Sequence, residues 1–109
     1  ESVRKLFDEE KVFLNPRLKL SDVARKAGTK RTYLRRFFNQ ENGYTFYDYV
    51  NQLRVKHAER LLSNTNLPIS LIADQSGFNS LSTFRRVFNS YYQCSPQEYR
   101  NRKKRTDNE

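Results

Sequence analysis

Residues 69–88, "ISLIADQSGFNSLSTFRRVF", decide the fold. They predict a short helix closed by Gly77, then a second helix capped by Ser80 and running from Leu81 to about Tyr92. A short helix, a turn containing glycine and a second helix with one apolar face form a helix-turn-helix signature. A single such pair is a weak signal, because many helical bundles contain one.

The signal strengthens because the chain writes the phrase twice. "LKLSDVARKAG" (18–28) and "KRTYLRRFFNQENG" (30–43) again predict a short helix closed by Gly28 and a second helix closed near Gly43. Leu18, Ser21, Ala24 and Gly28 align with Leu67, Ser70, Ala73 and Gly77. After one extra residue, Arg35, Arg36, Phe38, Asn39 and Tyr49 align with Arg85, Arg86, Phe88, Asn89 and Tyr99. At about 100° per residue, Tyr33, Leu34, Phe37 and Phe38 share one side of the first repeated helix, and Arg31, Thr32, Arg35 and Arg36 the other. In its twin, Phe84, Val87, Phe88 and Tyr91 face inward and Ser82, Arg85, Arg86 and Asn89 outward, with Leu81 at the edge.

Around these units, a first helix is expected over about Ser2–Phe13, ending before Asn15-Pro16. Thr45 and Asp48 form a capping pair that opens the longest helix, about Phe46 to Ser63, with Phe46, Val50, Leu53, His57 and Leu61 on one stripe and Ala58 and Leu62 beside it. Ser95-Pro96-Gln97-Glu98 opens a short last helix, after which residues 101–109 read as a frayed basic tail. The expected fold is all-α, one domain over 1–109 with seven helices. Helix-turn-helix units at about 18–43 and 68–93 are joined by a linker helix at about 45–63. That linker would span ~27 Å, near the ~34 Å of one turn of B-DNA. Two reading helices held near its ends could therefore enter successive major grooves.

Composition agrees with a polyanion partner. The chain has 109 residues, 21 Lys and Arg against 12 Asp and Glu, and a formal charge of +9. Only 36% of it is hydrophobic, so eight Phe and seven Tyr must be pooled to build a core. One cysteine, Cys94, and one histidine, His57, rule out an internal disulfide and a multi-ligand zinc site. No apolar run reaches the ~20 residues of a membrane span, and no membrane contact is expected. There is no nucleophile–base pair, metal cluster or phosphate-cradling glycine loop; an enzyme is not indicated, and no cofactor is implied.

The second unit, "ISLIADQSGFNSLSTFRRVFNSYYQCSPQEYR", follows the pattern I-A-x-x-x-G-F, S-x-x-x-F-x-R-x-F and P-x-x-Y-R. The first agrees more loosely through "LSDVARKAG" and "YLRRFF", and the linker through "LRVKHAERLL". In these residues, about Leu6 to Arg100, the chain resembles the DNA-binding domain of the AraC/XylS family of bacterial transcription regulators. The resemblance implies sequence-specific binding of double-stranded DNA by helices three and six. It also implies activation through contact with RNA polymerase, a sensor or receiver domain ahead of this segment, and a cytoplasmic place on the nucleoid. Carried over by position, the base-reading residues are Thr32, Arg35 and Arg36, then Leu81, Ser82, Thr83 and Arg86. Lys30, Arg31, Arg54, Ser80 and Arg85 are phosphate or mixed contacts, the amides near Ser80 and at the start of helix three acting as anion clamps.

Two positions depart from the family pattern. Lys30 stands where a Ser cap is common, which points to Thr29 as the cap, and Gln93 replaces the usual Gly after helix six. Arg54 either anchors a phosphate or braces the two halves. Gly77-Phe78 reads as a turn with a ring packed between subdomains, His57 as a packed histidine and Cys94 as loop filler. The alternative function is a helix-turn-helix protein-interaction module with only non-specific nucleic-acid affinity.

Overall fold

A computed structural model describes residues 2–38 and 45–108. Among them run α1 (Ser2–Asp8), a 3-10 turn (Val12–Leu14), α2 (Leu20–Ala27), α3 (Arg31–Phe37), α4 (Phe46–Asn64), α5 (Ile69–Gln75), α6 (Leu81–Tyr92) and α7 (Pro96–Asn108). The expected all-α architecture of seven helices is present. Gly43 and the end of helix three lie outside the described residues.

Two apolar clusters share α4 as their common wall. Phe7, Val23, Leu34, Phe38, Phe46 and Val50 belong to the first. Val55, Ala58, Leu62, Ile72, Phe84 and Phe88 belong to the second. Ring pairs knit each cluster: Phe7 meets Tyr49 edge-on at 5.1 Å and Phe38 meets Phe46 edge-on at 5.4 Å on one side, while Phe78 lies tilted 5.1 Å from Phe84 and Phe88 stacks 4.6 Å from Tyr92 on the other.

The single stripe expected along α4 is therefore split. At 100° per residue, Phe46 and Val50 point about 130° away from Val55, Ala58 and Leu62. Leu53, His57 and Leu61, which continue the first stripe, are only half-buried. The helix turns one face to each unit, so the two units are fixed at an angle to one another by its phase.

The expected first helix over 2–13 breaks after Asp8. Phe7 and Phe13 would stand about 120° apart on a continuous helix and could not both turn inward. Lys11, in the left-handed region at φ 50°, redirects the chain into the 3-10 turn. Phe13 is then buried, its ring 6.2 Å from His57, while Phe7 stays in the first cluster.

The ends of the helices follow their capping residues. Gly28 closes α2 at φ 70°, and the Thr29 amide bonds back to Ala24 O at 2.9 Å. Ser80 Oγ accepts Thr83 N at 3.1 Å, and Thr45 Oγ1 accepts Asp48 N at 3.2 Å. Ser95 and Glu98 form the full reciprocal box, with bonds of 2.9 and 3.1 Å. Gln93 adopts the left-handed conformation usual for Gly, at φ 57°, and its side-chain amide bonds Ser90 O at 3.1 Å.

The short last helix and frayed tail are corrected: α7 continues to Asn108. Its first turns are anchored by a residue whose role the sequence does not signal. Arg100 is buried and donates to Leu62 O, Leu67 O and Thr65 O at 3.2, 2.7 and 3.2 Å. It thereby satisfies carbonyls at and beyond the end of α4, which lack helical partners. Tyr99 donates a short hydrogen bond to the Glu59 carboxylate. Burial first, then that carboxylate, keeps the phenol protonated far above its usual range. Cys94 is buried in the second cluster, so it is core rather than loop filler.

Candidate nucleic-acid interface

The apolar sides of α3 and α6 anchor both helices in the cores and leave their opposite sides outside. In α3, Leu34 is buried, while Arg31, Thr32, Arg35 and Arg36 are exposed. In α6, Phe84, Val87 and Phe88 are buried, Ser82, Arg85 and Arg86 are exposed, and Leu81 and Thr83 are half-buried. Among the described residues no carboxylate holds Lys30, Arg31, Arg35, Arg36, Arg85 or Arg86, so all six charges face solvent. The nearby acid Asp22 is instead occupied by Arg25, at 3.2 Å.

Helices α3 and α6 start differently. At α6 the Ser80 hydroxyl accepts Thr83 N and donates to Thr83 Oγ1 at 3.0 Å, which fixes the first turn and leaves the Thr83 proton available. At α3 the N-cap is Lys30, with no side-chain cap, and the expected cap Thr29 instead donates its amide to the end of α2. The first-turn amides of α3 are thus left for solvent or a ligand.

Three inward assignments are corrected. Tyr33 is 62% exposed and stands beside the α3 arginines. On the helical wheel Tyr33 stands about 100° from Leu34 and about 140° from Phe38, the two buried residues, so it lies at the edge of the apolar side. Tyr91 is also exposed, its hydroxyl donating to Asp48 O at 3.2 Å. Phe78 packs inside the second cluster, against Phe84, not between the units.

The joint between the units is made instead by Gly77 and Arg54. Arg54 donates to Phe13 O at 2.7 Å and Asn15 O at 2.8 Å, so it braces the 3-10 turn and is not turned towards a ligand. A Cβ on Gly77 would lie 2.4 Å from Phe13 O and 3.0 Å from Arg54 Nε. Next to it, the buried Ser76 hydroxyl lies 3.2 Å from His57 Nδ1. Glycine, arginine, serine and histidine together clamp the first unit's entry strap to the second unit's turn.

The longest dimension of the chain is 49 Å, enough to lie along one ~34 Å turn of duplex. Two basic helices on a shared rigid spacer define a DNA-binding helix-turn-helix domain of the kind used by transcription regulators. A family model described as a helix-turn-helix domain matches residues 23–102. The chain is 31% identical over 83 residues to the Msm operon regulatory protein of Streptococcus mutans, covering 76% of this chain and 30% of that one. It is 30% identical over 83 residues to the multiple antibiotic resistance protein MarA of Escherichia coli, covering 76% of this chain and 65% of that one. It thus spans less than two thirds of either relative. The C-terminal domain of AraT, a response regulator from Geobacillus stearothermophilus, superposes with a TM-score of 0.82 at 32% identity, covering 91% of this chain and 83% of that one. The chain belongs to the AraC/XylS family, as a DNA-binding domain of a transcription regulator.

Proposed function

We propose that this chain reads a specific double-stranded DNA site by placing α3 and α6 in successive major grooves of one duplex face. The carrying observation is that both helices bury aromatic or branched residues and expose an adjacent arginine pair at equivalent positions, Arg35-Arg36 and Arg85-Arg86. Arginine grips the O6 and N7 edge of guanine with two hydrogen bonds, and Thr32, Ser82 and Thr83 offer shorter hydroxyl contacts. Leu81 suits a thymine methyl. Lys30, Arg31, Arg85 and the amides that open α3 and α6 suit phosphates. Arg54 is withdrawn from this set because its guanidinium is occupied at the joint.

The domain, residues 1–109, is read as the output part of a longer bacterial regulator carrying a sensor or receiver domain. That AraT is a response regulator with this fold at its C-terminus supports the receiver form. Activation through contact with RNA polymerase and a cytoplasmic, nucleoid-bound location belong to the same reading. No helix among the described residues is long and apolar enough to cross a membrane.

Selection of bound duplexes from a random DNA library tests this directly. The expected product is a site with two preferred segments about one helical turn apart. Arg36→Ala and Arg86→Ala should each cost ~1–3 kcal/mol on that site and relax preference within one segment only. Recovery of unrelated sequences, bound with affinity that barely responds to salt, would overturn the reading in favour of a protein-interaction module.

A further inference from the structure

A continuous surface links the two reading helices, and it has its own chemistry. The cleft beside α3 is lined by Lys19, Arg31, Arg35 and Tyr47 among others. An adjoining groove shares Lys19 and Tyr47 and extends through Arg17 to Asn79, the residue just before the α6 cap Ser80. The path thus runs from the arginines of α3 to the first turn of α6 without leaving the molecular surface. Arg17 and Lys19 are exposed on it, and Tyr47 is 63% exposed with no hydrogen-bond partner for its phenol among the described residues. Asp22, the acid on the groove, does not cancel these charges, because its carboxylate accepts Lys19 N at 3.0 Å and Arg25 Nη2 at 3.2 Å.

If α3 and α6 enter successive major grooves, the duplex between them presents its minor groove, bordered by two phosphate ridges. We propose that Arg17, Lys19 and Tyr47 form a third contact region, seating the sugar–phosphate ridge beside that minor groove. Arg17 and Lys19 neutralise phosphates. Tyr47 lays its ring on a deoxyribose and donates its hydroxyl to a phosphate oxygen. None of the three reads a base edge, so the region adds affinity and register without sequence preference. The inference rests on the two-groove reading above.

The test uses the whole chain and a duplex recovered in the library selection. Ethylation of phosphates bordering the central minor groove should weaken binding of the parent chain, have a smaller effect on Arg17→Gln/Lys19→Gln, and have none once Tyr47→Ala is added to that pair. That double variant should lower the slope of log affinity against log salt by about 2, ~0.9 for each phosphate no longer neutralised. Tyr47→Ala should weaken binding equally on matched and mismatched duplexes. All three side chains are exposed, so unchanged melting would confirm that the variants are folded. An unchanged salt slope with silent central phosphates, while both outer segments remain protected, would overturn this inference and leave the two-groove reading standing. Loss of the two-segment footprint in the parent chain would overturn both.

Discussion

The two helix-turn-helix units are copies in sequence, yet they differ in how their second helices, α3 and α6, begin. The second holds α6 with a serine cap whose hydroxyl bonds both the amide and the side chain of Thr83, and buries Phe84 and Phe88 beneath it. The first starts α3 at an uncapped lysine and crowds four cations, Lys30, Arg31, Arg35 and Arg36, on and beside its described turns. The difference teaches that a fixed helix start and a dense charge serve different ends. A pinned first turn holds short side chains at defined distances from base edges, as discrimination requires, whereas clustered cations attract phosphate of any sequence. On the proposed function, α6 contributes more of the specificity and α3 more of the salt-dependent affinity.

The sharpest way to break the comparison is at the matched glycines. Gly28 and Gly77 both have positive φ, at 70° and 90°, but nothing lies within 4 Å of a Cβ on Gly28, whereas one on Gly77 would meet Phe13 O at 2.4 Å. Gly28→Ala should cost only the left-handed strain, about 1 kcal/mol. Gly77→Ala adds overpacking against backbone and should cost about 3 kcal/mol in urea unfolding. Equal costs at the two sites would show that the joint yields and does not fix the units.

A smaller effect tests the caps. Ser80→Ala should destabilise the chain by about 1 kcal/mol, while Lys30→Ser, which supplies the missing cap, should stabilise it by up to ~1 kcal/mol. On the proposed function, Lys30→Ser should at the same time weaken DNA binding by removing a cation assigned to phosphate. A variant that gained stability and kept its full affinity would remove Lys30 from the interface.

The smallest expected effect is a pH response at the joint. Burial first, then Arg60 and Lys11, hold the His57 pKa below its usual 6.5. As pH falls through about 6.5 the unfolded chain therefore takes up this proton before the folded one does. Its contribution is fully present above that pH and is lost on descent towards the folded value. The melting midpoint should drop between about pH 7.5 and pH 5.5, and His57→Gln should flatten that part of the profile. An identical profile in the variant would place the sensitivity elsewhere.

Legibility followed the range of the determining contacts. The starts of α6 and α7 could be read from sequence to the residue, because Ser80, Ser95 and Glu98 act on neighbours within a few positions, whereas Tyr91, whose hydroxyl reaches Asp48 O, and Phe78 in the same unit could not. Outward placement of Arg35, Arg36, Arg85 and Arg86 was legible too, since strong apolar anchors opposite them leave one choice. The break after Asp8 was not, because it depends on Lys11 entering a conformation few lysines adopt and on Arg54, far along the chain, receiving the carbonyls of Phe13 and Asn15. Arg100 hid in the same way, as a basic residue next to a basic run whose partners all lie near the end of α4. The divided face of α4 escaped because a single periodic stripe presumes a single core.

That division makes α4 an angular gauge. One residue inserted between Val50 and Val55 would lengthen the helix by only ~1.5 Å but swing the second unit by ~100°, which on the proposed function would carry Arg86 off the side of the duplex assigned to Arg36. Substitutions in this stretch leave that angle alone, whereas any change in its number of residues resets it.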